Sequence, residues 1–455
     1  MASVTLSTYD EVLKTFYLPA IQEQLNHSTI LSDLIDVNEE DVSGTNAKIE
    51  MHYGRTTGIS ARGDGEALPA ANYQKHIQAT VPMQYNYGRL QVTGPTIAAT
   101  RDERGAYAKA LDTEIQGLTR DFKIENNRQL WGAGHGVLAR WRDGTDVTIT
   151  LQKKYRGNSG GGDGFGSTFG SKYMQVADPL TPVVATISSA TTGTYVVDAT
   201  DIAPSAIVTT EDDYDTLTCT NAAVSEAAGT FYVRFNNSVA SLGADSLAAG
   251  VNRKEMMGLR GIVTDTDLDD ISFNNGTYDG LTVNDPLQGI AAGTYTWFQA
   301  NVDTHASGRY AGQRALTLNL MDKMFDDVEE KAGKDYGPDL ILTTRALRRE
   351  YTDLCRADRR YVNTMTLDGG WKAIDYNGIP FTVDNDAIDG EIYFLTTKDL
   401  AIYRMSDYDW MNKDGAVLSR VSNYDAYEAV LFRYAEFGCK RRNSQGVICD
   451  LAYTL

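Results

Sequence analysis

A long segment that is poor in apolar residues separates two runs of alternating hydrophobicity, and it limits what this chain can fold into. Residues 47–53 and residues 77–87 alternate between apolar and polar side chains, which is typical of β-strands with one buried face. The intervening residues 54–76 are rich in glycine and small polar side chains. This segment is too long for a tight turn and has too few apolar residues to form a core. The sequence therefore predicts a long β-hairpin that projects from the body of the protein.

Residues 101–130 form the clearest helical pattern. Asp102 and Glu103 occupy the first turn, where negative charge is favourable, and the glycines of residues 132–136 end the pattern. One apolar stripe recurs at steps of three and four residues: Ala106, Ala110, Leu111, Ile115, Leu118 and Phe122. At 1.5 Å per residue we expect a helix about 45 Å long.

The composition changes after this helix. A glycine-rich stretch, residues 156–170, leads into residues 173–252, which contain one basic residue, Arg234, against nine acidic ones. Short runs rich in Thr, Val, Ile and Tyr are separated there by Gly, Asp and Ser. This pattern predicts a small all-β module inserted into a larger domain.

The C-terminal part mixes helices and strands. Leu316, Leu320, Met324 and Val328 predict a helix that ends near Gly333. A buried strand over 337–344, a helix over 345–354 and two strands over 391–405 follow, and the chain closes with a strand, a turn and a strand over 426–451. Regular βαβ alternation is missing, so we expect an α+β fold.

Motifs for catalysis or cofactor binding are not found. The glycine-rich stretch lacks the phosphate-binding signature, the five histidines and four cysteines lack zinc-ligand spacing, and no nucleophile-elbow motif occurs. We assign no catalytic, cofactor-binding or metal-binding residue. The N-terminus lacks a signal-peptide pattern and no apolar run is long enough to span a membrane, so we expect synthesis in a reducing cytoplasm.

One basic island interrupts an acidic chain. The formal net charge of the 455 residues is −19, which disfavours a general phosphate-binding surface. Six arginines nevertheless cluster in the third helix and just after it: Arg345, Arg348, Arg349, Arg356, Arg359 and Arg360. Arginine suits bidentate contacts with carboxylates or phosphates. Pairing with acids of a neighbouring subunit is the favoured interpretation, and contact with nucleic acid stays open.

The first residues predict an arm without a core of its own. Phe16 and Tyr17 lie on the apolar side of a short amphipathic pattern that Pro19 interrupts. An apolar arm and a projecting hairpin both expose surface that only other subunits can bury. The sequence therefore indicates a lattice-forming protein.

The order of these parts resembles the major capsid proteins of tailed bacteriophages, which share the Hong Kong 97 type fold. MMGLRGIVTD at 256–265 resembles a return into the peripheral domain, and GPDLILTTRALRREYTDL from Gly337 resembles the strand and helix of the axial domain. AYEAVLFRYAEFGCKRRNSQGVICDL is similar to the closing strand, turn and strand of that family. The resemblance implies six segments: an N-terminal arm (1–43), an extended hairpin loop (44–95), the spine helix with the first part of the peripheral domain (96–140), an inserted β-rich domain (141–255), the second part of the peripheral domain (256–336) and the axial domain (337–455).

The resemblance also implies a function and partners. Pentamers and hexamers of one chain would tile an icosahedral shell around double-stranded DNA, with scaffolding, portal and decoration proteins as further partners. No long charged helix precedes the arm, so we expect a separate scaffold or none. Lys48 and Lys75 flank the hairpin, but we assign no covalent crosslink to them.

Assembly contacts are expected from the hairpin and its base, where Arg55, Arg62 and Arg89 would pair with acids of a neighbour, from the arm beneath it and from the arginine helix. Two other classes stay open: a secreted carbohydrate-active enzyme and a glycan-binding module, which acidity, tyrosines and a β-module would suit. Both of these predict a stable monomer, whereas the capsid hypothesis predicts capsomers or shells.

Overall fold

The computed structural model describes the whole predicted hairpin region, the long helix and most of the C-terminal half. The described residues are 30–95, 104–132, 134, 137–145, 148–152, 172–174, 180–187, 193–197, 204–209, 214–219, 231–235, 255–265, 286–305, 313–357, 364–366, 372–412 and 417–453. The predicted arm residues Phe16 and Tyr17 and the arginines Arg359 and Arg360 lie outside them.

The described elements are mixed in type. The strands are β1 (Val37–Asn38), β2 (Val42–Ser43), β3 (Asn46–Gly54), β4 (Lys75–Pro82), β5 (Gln84–Thr93), β6 (Val137–Thr145), β7 (Thr148–Gln152), β8 (Leu180–Ile187), β9 (Gly193–Val197), β10 (Pro204–Val208), β11 (Tyr214–Cys219), β12 (Phe231–Phe235), β13 (Asn301–Asp303), β14 (Leu340–Thr343), β15 (Thr364–Thr366), β16 (Lys372–Tyr376), β17 (Ile379–Val383), β18 (Ile392–Leu395), β19 (Leu400–Trp410), β20 (Ser419–Arg420), β21 (Ala426–Cys439) and β22 (Gly446–Ile448). The α-helices are α1 (Ile30–Leu34), α2 (Arg104–Trp131), α3 (Leu259–Ile262), α4 (Leu318–Ala332) and α5 (Arg345–Ala357). The chain is therefore α+β, as the sequence predicts.

The predicted hairpin is present and projects from a three-stranded sheet in the order β2-β3-β4. The antiparallel register of β3 and β4 runs from Asn46 opposite Pro82 to Gly54 opposite Lys75. Ala47, Ile49 and Met51 are buried on one face, whereas the side chains between them are exposed. The alternating pattern thus anchors the hairpin on the core by one face of its base.

The second alternating run, residues 77–87, is expected to form one strand but forms parts of two. It is divided at Met83 into β4 and β5, which belong to different sheets, and the Met83 N–H donates to the Thr45 carbonyl (3.1 Å). The buried face also changes: Tyr85 and Tyr87 are exposed. The reason is packing, because a Cβ on Gly88 would lie 3.2 Å from Leu118 Cδ1 of α2, so the other face of β5 meets that helix.

The five-stranded sheet carries the long helix on one face. Its order is β1-β19-β21-β20, with β5 also paired to β21 over the whole length of β5. Of the predicted apolar stripe of α2, Phe122 is buried, and Ile115 and Leu118 are half-buried. The helix ends at Trp131 immediately before the predicted glycine stop.

The last part of the predicted arm is built into the body. Leu31 of α1 is fully buried, and β1 pairs in parallel with β19. The Ile402 N–H also donates to the Asp36 carbonyl (2.9 Å). Residues 30–43 therefore do not form an unsupported arm, because residues 36–38 bond to the edge of the five-stranded sheet and β2 pairs with β3.

A seven-stranded antiparallel sheet follows α2, in the order β10-β11-β7-β6-β12-β8-β9. It lies where the sequence predicts a β-rich module. Its first strand, β6, begins at Val137, before the predicted boundary at residue 141. The domain boundaries stay predictions.

The second seven-stranded sheet is mixed, in the order β13-β22-β18-β14-β17-β16-β15. Helix α4 packs closely on it, because a Cβ on Gly446 of β22 would lie 2.6 Å from Met324 Sδ. Thr317 caps α4, its Oγ1 accepting from the Leu320 N–H (3.3 Å), and Gly333 ends it with φ of 92°. The predicted end of this helix is confirmed, whereas Leu316, predicted to lie on the helix, precedes the capping residue Thr317. No helix of the described residues is long and apolar enough to cross a membrane.

Candidate assembly surfaces

The hairpin tip, residues 55–74, is exposed almost throughout. Ile59, Leu68 and Tyr73 are 82%, 87% and 75% exposed. The backbone of the tip is nevertheless tied together: Thr56 Oγ1 donates to the Asn72 carbonyl (3.0 Å), and the Gly63 N–H donates to Glu66 Oε2 (2.9 Å). The tip thus presents three large apolar side chains to solvent from a loop with internal hydrogen bonds, and these side chains are candidates for burial against another protein.

The three arginines assigned to the hairpin lie in two places. Arg55 and Arg62 are exposed in the hairpin tip. Arg89 lies in β5 of the five-stranded sheet, where its Nη2 is 2.5 Å from Oε2 of Glu428 in β21. Arg89 therefore has a carboxylate partner within its own chain and is not part of the hairpin, because the chain enters a new sheet at Met83.

Helix α5 carries an arginine strip, defined here as Arg345, Arg348, Arg349 and Arg356. Arg345, Arg349 and Arg356 are exposed, and at about 100° per residue they fall within an arc of about 40°. Leu347, on the opposite side, is buried in the core. The strip is therefore the solvent face of an amphipathic helix.

Charge is concentrated along the arginine strip. Partial burial, with added repulsion from Arg345 and Arg349, lowers the pKa of Arg348. Arg356 Nη1 lies 3.1 Å from Asp353 Oδ1, an exposed pair of low expected strength. A surface of this kind attracts carboxylates or phosphates of another molecule.

A buried polar cluster, the Asp384–Asp386 junction, joins four separate chain segments. Asp384 Oδ2 accepts from the Leu31 N–H of α1 (3.0 Å). Asp386 Oδ2 accepts from Asn127 Nδ2 of α2 (2.7 Å), and its Oδ1 lies 2.6 Å from Lys172 Nζ and also accepts from the Tyr173 hydroxyl. Burial, with the neighbouring Asp386 charge, raises the pKa of Asp384 to about 6. Sequence reasoning missed this cluster, because a short acidic loop resembles a solvated turn.

A second buried cluster ties the end of α2 to the segment that follows the β-rich region. The fully buried Arg128 pairs with Glu125 and, at 2.7 Å from Nη2 to Oε1, with Glu255. Burial alone would lower the pKa of Arg128, but the two carboxylates outweigh it and raise the pKa. Both clusters join separate chain segments through buried hydrogen bonds and ion pairs within the chain. In the described ranges, no three His, Cys, Asp or Glu side chains lie close enough to share a metal ion.

Comparison with known proteins identifies the fold. No family model matches the sequence, and no curated protein matches it. The chain is similar to a solved structure of the cyanophage A-1(L) capsid, with a TM-score of 0.53 and 14% sequence identity over 98% of this chain and 99% of that one. The protein therefore has a phage capsid fold.

Two further solved structures match over nearly their whole length at lower similarity. The capsid of Myoviridae phage XM1 has a TM-score of 0.45 and 7% identity over 99% of this chain and 100% of that one. The capsid of an empty GTA particle has a TM-score of 0.44 and 10% identity over 99% of this chain and 100% of that one.

Proposed function

We propose that this protein is the major capsid protein of a tailed phage and that it assembles with itself, as pentamers and hexamers, into an icosahedral shell around double-stranded DNA. The observation that carries the proposal is the hairpin tip, which holds large apolar side chains in solvent on a chain with a phage capsid fold. The parts correspond to the Hong Kong 97 type: arm, extended loop, spine helix, peripheral domain and axial domain. The mature location is the virion, after synthesis in the host cytoplasm.

The hairpin tip supplies the first contact. Ile59, Leu68 and Tyr73 lie against a neighbouring subunit, and each apolar side chain that becomes fully buried contributes about 1.5–3 kcal/mol. Arg55 and Arg62 pair there with carboxylates of the neighbour. These contacts are made once per subunit, so they add up over a closed shell.

The arginine strip supplies the second contact. On a chain with a net charge of −19, the carboxylates of a neighbouring copy are the most abundant partners for Arg345, Arg348, Arg349 and Arg356. Arg89 pairs with Glu428 within the five-stranded sheet. The intersubunit contacts of the hairpin are therefore made by Arg55 and Arg62. Contact of the strip with packaged DNA is the second interpretation, which the experiments below separate.

The seven-stranded antiparallel sheet forms an inserted module on the outer face of the shell. Its region carries nine acidic residues and one basic residue between 173 and 252, and like charge keeps particles apart. Scaffolding, portal and decoration proteins are additional partners of such a shell.

Electron microscopy with light scattering on the purified full-length chain tests the proposal. Shells, tubes, or rings of five or six subunits are expected. A chain that stays a 49.9-kDa monomer up to its solubility limit leaves either a required scaffold or a wrong assignment. Glycan binding or hydrolysis by that monomer would contradict the proposal.

A further inference from the structure

Two histidines stand directly opposite each other on the projecting hairpin. His52 of β3 and His76 of β4 are register partners, and both side chains are exposed. The other face of this ladder is buried through Ile49 and Met51, so the backbone that carries the two imidazoles is anchored on the core. Their ring centroids lie 5.0 Å apart, with 46° between the ring planes.

This separation matches that of two imidazoles on one metal ion. With a metal–nitrogen distance of about 2.1 Å, the centre of each ring lies about 3.2 Å from the ion, so two rings at the tetrahedral angle have centres about 5.2 Å apart. Imidazole nitrogens suit zinc, copper and nickel ions. The observed separation of the ring centroids, 5.0 Å, is therefore close to the one that a shared ion requires.

A neighbouring amide favours the His52 tautomer that a metal ligand needs. His52 Nε2 lies 2.8 Å from Gln74 Oε1, and an amide oxygen only accepts hydrogen bonds. Nε2 therefore carries the hydrogen, and Nδ1 keeps its lone pair. Histidines that bind metals are oriented in this way by an acceptor at the second ring nitrogen.

We infer that His52 and His76 form a chelating site for one divalent transition-metal ion on each hairpin. Water fills the remaining coordination positions, because two protein ligands leave the ion open on its solvent side. The inference concerns the base of the hairpin alone and does not rest on the proposed function. Calcium and magnesium, which prefer oxygen ligands, do not bind there.

Calorimetric titration of the untagged full-length chain with Zn²⁺ tests the site. We expect one ion per chain, and an affinity at least about tenfold lower in His52→Ala and in His76→Ala, because each variant loses one of two ligands. His305→Ala removes a histidine far from the hairpin in sequence and serves as the matched control, with unchanged affinity. Thermal unfolding of each variant checks that the fold is intact.

Copper supplies a spectroscopic readout of the ligands. Electron paramagnetic resonance of the Cu²⁺-loaded chain is expected to report two coordinated nitrogens in the wild type and one in each single variant, with tighter binding than for Zn²⁺. Equal Zn²⁺ affinity of the wild type and the His52→Ala/His76→Ala double variant would overturn the inference. An equal loss of affinity in His305→Ala would overturn it as well.

Discussion

Asn127 donates a hydrogen bond of 2.7 Å from its Nδ2 to Oδ2 of Asp386, and so joins the last turn of α2 to the loop after β17. Both residues are buried. The same carboxylate accepts from the Tyr173 hydroxyl and pairs with Lys172, so one side chain holds three segments together.

Replacement of this carboxylate is expected to destabilise the chain. Asp386→Ala removes the 2.7 Å acceptor of the buried Asn127 amide, which keeps only a 3.5 Å contact with Asp384 Oδ1, and it removes the ion-pair partner of Lys172. We expect a cost of about 3 kcal/mol in the free energy of unfolding. Urea unfolding followed by circular dichroism measures the loss. Asp353→Ala, which breaks the exposed pair with Arg356, is the control and is expected to change stability by less than about 1 kcal/mol.

Asp384 makes stability depend on pH. Burial raises its pKa from 3.8 to about 6, so the folded state holds a proton that the unfolded state releases at lower pH. The contribution of Asp384 to the free energy of unfolding is therefore largest in acid, and it is lost as the pH rises from about 4 to about 6.

Asp384→Asn removes that titration. Between pH 4.5 and pH 7.5, the stability of the wild type relative to the variant is expected to fall by about 2 kcal/mol. Urea unfolding of both proteins at the two pH values gives this difference. If the difference in stability between the two proteins stays constant or rises toward pH 7.5, the Asp384 carboxyl does not have a raised pKa in the folded state.

Gly258 allows two backbone segments to touch. A Cβ at this position would lie 2.5 Å from the carbonyl oxygens of Gln129 and Gly132, which cannot move aside as a flexible side chain can. Gly258→Ala is expected to cost about 3 kcal/mol or to prevent folding. Gly293→Ala, with no atom within 4 Å of the added Cβ, is the matched control and is expected to keep the melting temperature of the wild type.

Leu68→Asp tests the hairpin tip. The new charge would be buried against a neighbour in the assembly but stays in solvent in the free chain, so assembly is expected to fail while the circular dichroism spectrum is unchanged. Val208→Asp places the same charge at another exposed apolar position, in β10, and is expected to assemble. Electron microscopy shows whether each variant forms particles. If Leu68→Asp assembles normally, the hairpin tip is not part of an assembly interface.

Reversal of charge on the arginine strip separates its two interpretations. Arg345→Glu/Arg349→Glu is expected to prevent assembly, because acids of the neighbouring copy would then face acids. Arg345→Lys/Arg349→Lys keeps the charge and is expected to assemble more weakly, since lysine lacks the bidentate geometry. Normal shells from the glutamate variant, with weaker and less salt-dependent DNA binding, would favour DNA contact instead.

Local periodicity determined much of the secondary structure. The step of two over 47–53 predicted β3, the steps of four from Leu320 to Val328 predicted α4, and the glycines after Trp131 and Ala332 marked helix ends. These signals survive without tertiary information because they depend on backbone geometry and on one buried face. The absence of a core in residues 54–76 likewise predicted the projecting hairpin.

Only the tertiary structure decided which groups meet. Tyr85 and Tyr87 continue the alternation of β4, yet they are exposed because β5 has joined another sheet against α2. Arg89 pairs with Glu428, and Asp386 accepts a hydrogen bond from Asn127, although hundreds of residues separate the partners in sequence. A sequence pattern reports that a face or a charge needs a partner, whereas the identity of that partner depends on how the sheets and helices pack, which no local pattern contains.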